Sequence, residues 1–232
     1  MSALFASEEW QVLMDNLPTL PFATWESFYA TVLSTFLALV IGIPLGVLLV
    51  SGEQGGVLPL PRWLMRLLNV VINLLRSIPF LILMIFVIPL SQAIVGTSIG
   101  TVASIVPLVI ASFPFVSRLV ESSLREVDGG VIEAAQSMGA TPMQIIVKVM
   151  IPESMPSLIS NITIALTTIL GYSAMAGIIG GGGLGQIAIN YGYYRYKYLI
   201  MAVATALLVV MVQVFQSLGT WLATRCDKRL RR

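Results

Sequence analysis

Residues 28–50 read FYATVLSTFLALVIGIPLGVLLV, an apolar run without one charged side chain. A helix needs about 20 such residues to cross roughly 30 Å of hydrocarbon. Four further segments are long and apolar enough to cross, one within 63–90 and the others at about 99–120, 158–179 and 199–221. Because these runs are continuous rather than alternating, they predict helices and not barrel strands. The predicted fold is an all-α membrane protein with five transmembrane helices.

The composition excludes a soluble globule and disfavours an enzyme. Hydrophobic residues make up 57% of the 232 residues and charged residues 10%, against about 25% charged in ordinary soluble domains. The sequence has no His, which is the commonest general base and metal ligand, and a single cysteine, Cys226. We therefore expect no catalytic residues and no metal site, and a membrane-embedded enzyme is the weakest alternative.

The distribution of basic residues predicts the orientation in the membrane. Ten of the thirteen Lys and Arg residues follow span one, follow span three or lie in the tail after span five. These ten are Arg62, Arg66, Arg118, Arg125, Lys148, Arg225, Lys228, Arg229, Arg231 and Arg232. An excess of Lys and Arg marks the cytoplasmic side, so we expect the N-terminus outside and the C-terminus inside.

This orientation divides the chain into three parts. Residues 1–24 form an external N-terminal extension, 25–222 the transmembrane domain, and 223–232 a basic cytoplasmic tail. The extension is predicted to be either a short interfacial helix or a disordered tail. The loop at 121–156 falls on the cytoplasmic side.

That loop carries the strongest local helix signals outside the spans. Asp128 is a good N-cap and Gly139 a good left-handed C-terminal residue, which predicts a helix of about three turns between them. Thr141-Pro142-Met143-Gln144 has the pattern of a capping box with proline at the first helical position. Two helices are therefore predicted, joined by a sharp turn after Gly139, the second ending near Pro152.

The first of these helices has a narrow apolar face. Val131, Ala135 and Met138 lie at positions i, i+4 and i+7, a spacing that suits docking into a groove on a partner. The alternative is an amphipathic connector that lies on the inner leaflet. Acidic residues such as Glu126 and Glu133 disfavour that alternative, because the inner leaflet is itself anionic.

The same loop resembles a known motif. Glu133-Ala134-Ala135, three residues, Gly139, nine residues and then Val149-x-Ile151-Pro152 are similar to the coupling motif of ATP-binding-cassette (ABC) import permeases. In that family the motif docks as a short helix into a cleft of the ATPase subunit. The resemblance implies an ATPase-coupling role for Glu133, Ala134, Ala135, Met138, Gly139, Val149, Ile151 and Pro152.

A narrower resemblance rests on five other stretches. They are RSIPF at 76–80, VGTSIG at 95–100, GATPMQI at 139–145, GYSAM at 171–175 and GLGQ at 183–186. Together they resemble the permease subunits of D- and L-methionine importers, which are type I ABC importers of the bacterial inner membrane. The resemblance covers about residues 25–222, and only the N-terminal extension falls outside it.

The family implies a set of partners. They are a second copy of the chain, two cytoplasmic ABC ATPases, an external substrate-binding lipoprotein, membrane lipid and an amino-acid substrate, with no nucleic acid. ATP and Mg belong to the ATPases, and this chain binds no cofactor. Two alternatives stay open, namely a permease for a different amino acid or small solute and an ATPase-independent channel.

Polar residues around span two are the first candidates for the transport path. Asn69, Asn73 and Arg76 fall on one helical face, and Pro79 weakens the helix just after Ser77. These residues form a polar seam that faces the path, or a brace for the break. The alternative is that span two begins near Ser77 and that Arg76 extends to the inner interface.

Span four supplies the other candidates. Tyr172, Ser173 and Met175 lie near its middle, where a soft Met side chain suits a thioether ligand or a gate, with ordinary packing as the alternative. The glycine-rich segment that follows is a candidate hinge, with close packing as the alternative. Its residues are Gly180, Gly181, Gly182, Gly183 and Gly185. In span one, Gly42 and Gly46 predict close helix packing.

Overall fold

The computed structural model describes residues 2–227, with side chains from Glu8 onward. Every regular element in this range is helical. The α-helices are α1 Ser2–Asn16, α2 Leu20–Ser51, α3 Arg62–Ser77, α4 Phe80–Val95, α5 Thr101–Arg125, α6 Gly129–Ser137, α7 Pro142–Ile145, α8 Ile151–Glu153, α9 Met155–Ala176, α10 Gly183–Ile187 and α11 Tyr198–Cys226. Half of the predicted basic tail, residues 228–232, lies outside the described residues.

Four helical stretches of the described chain are long and apolar enough to cross a membrane. They are Glu8–Ser51, Thr101–Arg125, Met155–Ile179 and Tyr198–Cys226. Each contains or overlaps one of the predicted spans. A fifth crossing results if α3 and α4 together form one broken span.

The predicted second span is the one that departs from a continuous helix. Helix α3 ends at Ser77, Ile78 is extended with ψ of 126°, and α4 begins directly after Pro79. Proline lacks a backbone N–H and keeps the preceding residue out of the helical region, so the break follows from local geometry. The result is two 16-residue helices in place of one span.

The chain divides into two compact units, and each combines three separate stretches of sequence. The first unit comprises Met1–Thr35, Pro79–Ile110 and Leu166–Phe215. The second comprises Phe36–Ile78, Ala111–Ala165 and Gln216–Arg232.

The core of the second unit joins the membrane helices to the loop after α5. Its buried members are Ala38, Val116, Val120, Leu124, Ala135, Ile145, Ile146, Met150, Leu158 and Ala165. A Cβ added at Gly42 would lie 2.6 Å from Val116, and one added at Gly46 would lie 2.6 Å from Val120. The predicted close packing at these glycines is thus confirmed.

The core of the first unit is smaller and lies around α10. Its buried members are Leu20, Ala23, Leu170, Leu184, Ala204, Met211 and Phe215. Helix α1 lies within the predicted extension, whose external and interfacial placement stays a prediction. Its side chains contact the start of α11, because Lys197 donates to the carboxylate of Glu8 and the Tyr198 N–H donates to Glu9.

Candidate functional site

The loop after α5 folds into the two capped helices that its sequence predicts. The Asp128 carboxylate accepts a hydrogen bond of 2.7 Å from the Gly130 N–H at the start of α6. After α6 the chain turns at Gly139, whose φ of +78° is the left-handed conformation that glycine adopts without strain. At α7 the Thr141 hydroxyl accepts from the Gln144 N–H, and the Gln144 amide oxygen accepts from the Thr141 N–H at 2.9 Å.

The second of these helices continues without interruption to α8. A π-helical stretch, Ile146–Met150, links α7 to Ile151–Glu153. Residues 129–153 therefore form one helix–turn–helix unit, called here the 129–153 segment. It ends within one residue of the predicted end at Pro152.

Within the 129–153 segment, apolar residues divide into a buried set and an exposed set. Ala135 is only 4% exposed, and Val149 and Ile151 pack partly buried against the same core. Val131 and Met138 are exposed, Met138 to 82%. Glu133 and Ala134 are exposed as well.

This division corrects the predicted apolar face. Ala135 was expected to share one outward face with Val131 and Met138, but its small side chain faces the core and lets α6 lie close to it. The exposed large apolar residues of the segment are Val131, Met138, Met143 and Val147. Sequence spacing placed three residues on one face, but the position of the core decides which of them are covered.

The polar face predicted on α3 has a partner that the sequence did not indicate. The Arg118 guanidinium donates to the Asn69 side-chain oxygen at 2.8 Å and to that of Asn73 at 3.0 Å. Arg76 lies exposed in the last turn of α3, and the Ser77 hydroxyl donates to the Asn73 carbonyl. The two asparagines thus bind an arginine from α5, and the seam with Arg76 along the transport path stays a prediction.

Arg118 belongs to a group of charged residues on α5 that the sequence reasoning missed. It forms an ion pair of 2.6 Å with Glu121, and Arg125 forms one of 2.8 Å with the same carboxylate. Arg125 also forms a 2.6 Å ion pair with Glu53, in the loop after α2. We call Glu53, Arg118, Glu121 and Arg125 the α5 charge cluster. The signal was the spacing i, i+3, i+7 of the three helical members, which places them on one face.

The cluster changes the titration of its loop member. The Arg125 guanidinium lowers the pKa of Glu53 below its ordinary value of 4.5, chiefly through hydrogen bonding to the charged carboxylate. Partial burial of the carboxylate opposes this shift, and the positive charge of Arg125 adds to it. Glu53 is therefore ionised at neutral pH.

The candidates in span four lie in ordinary packed surroundings. The Tyr172 ring stacks on Phe80 with centroids 4.3 Å apart and planes 7° from parallel. Ser173 is buried and Met175 is about half exposed. These contacts are of the kind that ordinary packing would produce. The role of these residues as a gate stays a prediction.

The glycine-rich segment after span four is held by α2 and α5. The Glu26 carboxylate accepts hydrogen bonds from the Thr101 hydroxyl at 2.7 Å and from the Gly183 N–H at 3.0 Å. The Ser27 hydroxyl accepts from the Leu184 N–H at 2.9 Å. Three backbone N–H or hydroxyl groups thus find acceptors on one turn of α2.

Close packing explains why glycine recurs there. A Cβ added at Gly185 would lie 2.2 Å from the Ala174 carbonyl oxygen, and one at Gly182 would lie 2.0 Å from the Thr101 hydroxyl. The predicted alternative of close packing is confirmed at these two positions. The hinge role of Gly180, Gly181, Gly182, Gly183 and Gly185 stays a prediction.

No cluster of three or more His, Cys, Asp or Glu side chains suited to a metal ion occurs among the described residues. The functional features that the structure does bring together are the exposed surface of the 129–153 segment and the α5 charge cluster, both in the second unit.

Comparison with known proteins establishes the class. Residues 42–232 match the family model described as binding-protein-dependent transport system inner membrane component. The chain belongs to this family, which makes it a multi-pass inner-membrane protein and a type I ABC permease.

Relatives within the family narrow the similarity. The chain is 50% identical over 222 residues to a probable D-methionine transport system permease protein, MetI, of Vibrio cholerae, which covers 95% of this chain and 97% of the relative. It is 45% identical to the corresponding protein of Pasteurella multocida over 89% of this chain and 95% of the relative.

Solved structures agree with these relatives. The chain matches the inward-facing MetNI methionine ABC transporter with a TM-score of 0.88 and 44% identity, over 90% of this chain and 96% of that one. An amino acid ABC transporter crystallised with histidines has a TM-score of 0.69 at 22% identity, over 92% and 98% of the two chains. That second match shows the same fold.

Proposed function

We propose that this chain is the membrane-spanning permease subunit of an ATP-driven methionine importer, and that two copies form the translocation path. The observation that carries the proposal is the 50% identity to a D-methionine permease over nearly the whole of both chains. The TM-score of 0.88 to the methionine transporter agrees with it.

The 129–153 segment is proposed to couple the permease to a cytoplasmic ABC ATPase. Its exposed Val131 and Met138 are apolar residues outside the apolar spans, and Glu133 in the same segment is exposed as well. Such a surface is suited to a groove on a partner. Gly139 makes the turn, while Val149 and Ile151 fix the segment to the core. The coupling set otherwise comprises Ala134, Ala135 and Pro152.

The orientation and partners follow from this assignment. The N-terminus lies outside, the C-terminus inside, and residues 25–222 form the transmembrane domain between the extension and the basic tail. ATP and Mg bind to two ATPase subunits, and this chain supplies no catalytic group. A binding lipoprotein delivers substrate from outside.

The residues proposed to line or gate the path fall into two groups. Asn73, Arg76, Ser77 and Pro79 lie at the break between α3 and α4, and Tyr172, Ser173 and Met175 lie in α9. The break frees backbone carbonyls that need polar partners, which is tolerated in a membrane where the chain lines a cavity.

The test of the substrate is ATP-driven uptake of labelled amino acids into vesicles that carry this subunit with its ATPase and binding protein. We expect methionine to accumulate and unlabelled methionine to compete. Uptake of another amino acid but not methionine would assign the chain to a different solute. Uptake without any ATPase would instead favour the channel alternative.

Coupling is tested on the exposed surface. Met138→Asp places a charge on the most exposed large apolar side chain of the 129–153 segment, and we expect the ATPase to be lost from the purified complex while membrane insertion is unchanged. Ala135 is unsuitable for this test, because a larger side chain there would disturb the core. Retention of the ATPase by Met138→Asp would contradict the docking surface.

Topology is tested on the same residue. In a Cys226→Ser background, Met138→Cys should react with an impermeant thiol reagent in inside-out vesicles and not in intact cells. Reaction from outside would contradict the orientation.

A further inference from the structure

The α5 charge cluster lies directly ahead of the 129–153 segment. Arg118, Glu121 and Arg125 lie on one face of α5, and Arg125 is its last residue. Three residues later Asp128 caps α6. A movement of α6 is therefore transmitted through the chain to the end of α5, where the cluster lies.

Arg125 connects this end to the loop after α2. Its two terminal nitrogens donate to the two carboxylate oxygens of Glu53, at 3.1 Å and 2.6 Å. The same guanidinium donates to Glu121 from Nε at 3.2 Å and from Nη2 at 2.8 Å. A two-pronged contact of this kind fixes orientation as well as distance, which a lysine could not reproduce.

Arg118 connects the same carboxylate to α3. One terminal nitrogen donates to Glu121 at 2.6 Å, and the other is shared between the Asn69 and Asn73 oxygens. Glu121 therefore accepts from both arginines, although its residue is only 8% exposed. Two carboxylates and two guanidiniums balance each other, so the cluster has no net charge.

We propose that the α5 charge cluster is a coupling joint, in which Glu121 and Arg125 are positioning residues for the transport reaction. The cluster holds the start of the 129–153 segment in fixed register with α3 and with the loop after α2. A push on the segment then moves these elements together instead of bending the chain between them. This inference rests on the proposed function, because it assigns the ATPase as the source of the push.

The chemistry explains why such a joint is stiff. Breaking a buried charge pair is costly because it leaves the remaining charge without compensation. The residues of the cluster therefore move together and do not separate.

The experiment compares transport with ATP hydrolysis in the reconstituted complex of permease, ATPase and binding protein. The variants are Arg125→Gln and Glu53→Gln, and Arg62→Gln is the matched control. Arg62 lies at the end of the same loop and donates to Gln54, with no contact to the cluster. The readout is solute imported per ATP hydrolysed in the same vesicles, which loss of folded complex alone would not change.

For Arg125→Gln we expect import per ATP to fall about tenfold, which corresponds to about 1.4 kcal/mol. Glu53→Gln should lower it in the same direction by less, because its carboxylate is one of two on Arg125. The double variant should lower import per ATP no further than Arg125→Gln alone. Residues of one network have effects that do not add, because removing either residue breaks the same interaction. The control should keep the wild-type ratio.

An unchanged ratio in Arg125→Gln, or additive losses in the double variant, would overturn the joint. If Arg125→Gln does not assemble, Glu53→Gln decides alone, because its side chain is 47% exposed and its loss leaves Glu121 paired. The ratio is measured with whichever amino acid the wild type imports. A wild type that imports another solute would therefore refute methionine as substrate without affecting the joint.

Discussion

Glu26 in the first unit and Glu121 in the second are two carboxylates on membrane-spanning helices, and they are satisfied in opposite ways. Glu121 accepts from the guanidiniums of Arg118 and Arg125. Glu26 accepts from the hydroxyl of Thr101 and from the backbone N–H of Gly183. One carboxylate is balanced by charge and the other by neutral donors.

The difference matches what each carboxylate holds. Glu121 joins side chains of α5 to α3 and, through Arg125, to a loop, and long guanidinium groups can bridge such gaps. Glu26 joins the Thr101 hydroxyl to the backbone of the glycine-rich segment, where a Cβ added at Gly182 would lie 2.0 Å from that hydroxyl. The stability of the second unit around Glu121 therefore depends on ion pairs. That of the first unit around Glu26 depends on close packing of the backbone at the glycine-rich segment.

The largest expected effect on the free energy of unfolding is at Glu121. Glu121→Gln removes the charge that compensates two arginines, and we expect it to lower the free energy of unfolding by about 3 kcal/mol. The measurement is a dodecyl sulfate titration of the purified subunit in detergent micelles. The matched variant is Glu26→Gln, and a smaller loss for Glu121→Gln than for Glu26→Gln would reverse the contrast.

The packing side of the contrast is tested at Gly185. Its φ is not in the left-handed region, so Gly185→Ala tests space alone. The new Cβ would lie 2.2 Å from the Ala174 carbonyl oxygen and 2.5 Å from its Cα, and backbone cannot move aside as a side chain can. We expect a loss of about 2 kcal/mol in the same titration.

Gly171→Ala is the control for that loss. Gly171 lies in α9, and nothing lies within 4 Å of an added Cβ. Because alanine favours helix over glycine, stability should rise by about 0.5 kcal/mol. Equal effects at Gly171 and Gly185 would show that helix propensity, and not close approach, sets both.

The two regions also differ in how much of them could be predicted from the sequence. The apolar runs fixed the helical class, and local signals located the caps at Asp128 and Thr141 and the turn at Gly139. These features depend on residues within a few positions of one another. The break at Pro79 is local as well, although its size exceeds the weakening that was predicted.

What the sequence did not predict depends on long-range contacts. Arg118 bonds Asn69 across 49 positions, and Glu26 bonds Gly183 across 157. No local pattern identifies such partners. The burial of Ala135 is of the same kind, because it depends on where the core lies relative to α6.

A smaller effect is expected where only neutral donors are involved. Glu26→Gln keeps one acceptor oxygen and replaces the other by an NH2 group that faces a donor, so one hydrogen bond is lost. We expect about 1 kcal/mol in the dodecyl sulfate titration. Thr101→Val, which removes the other donor, should cost a similar amount, and the double variant should cost less than the sum. Strict additivity would mean that the two bonds do not belong to one network.

The smallest effect is a pH dependence at Glu53. Its folded-state pKa lies below the ordinary value of 4.5, so the stability it contributes is complete above pH 4.5 and disappears as pH falls through the lower folded value. Because the side chain is 47% exposed, the loss should be below about 1 kcal/mol. Unfolding titrations of wild type and Glu53→Gln across this range measure it as a difference. The two curves should converge on acidification, since the protonated carboxyl of Glu53 and the amide that replaces it in the variant are both neutral. A gap that stayed constant would assign the contribution of Glu53 to packing instead of charge.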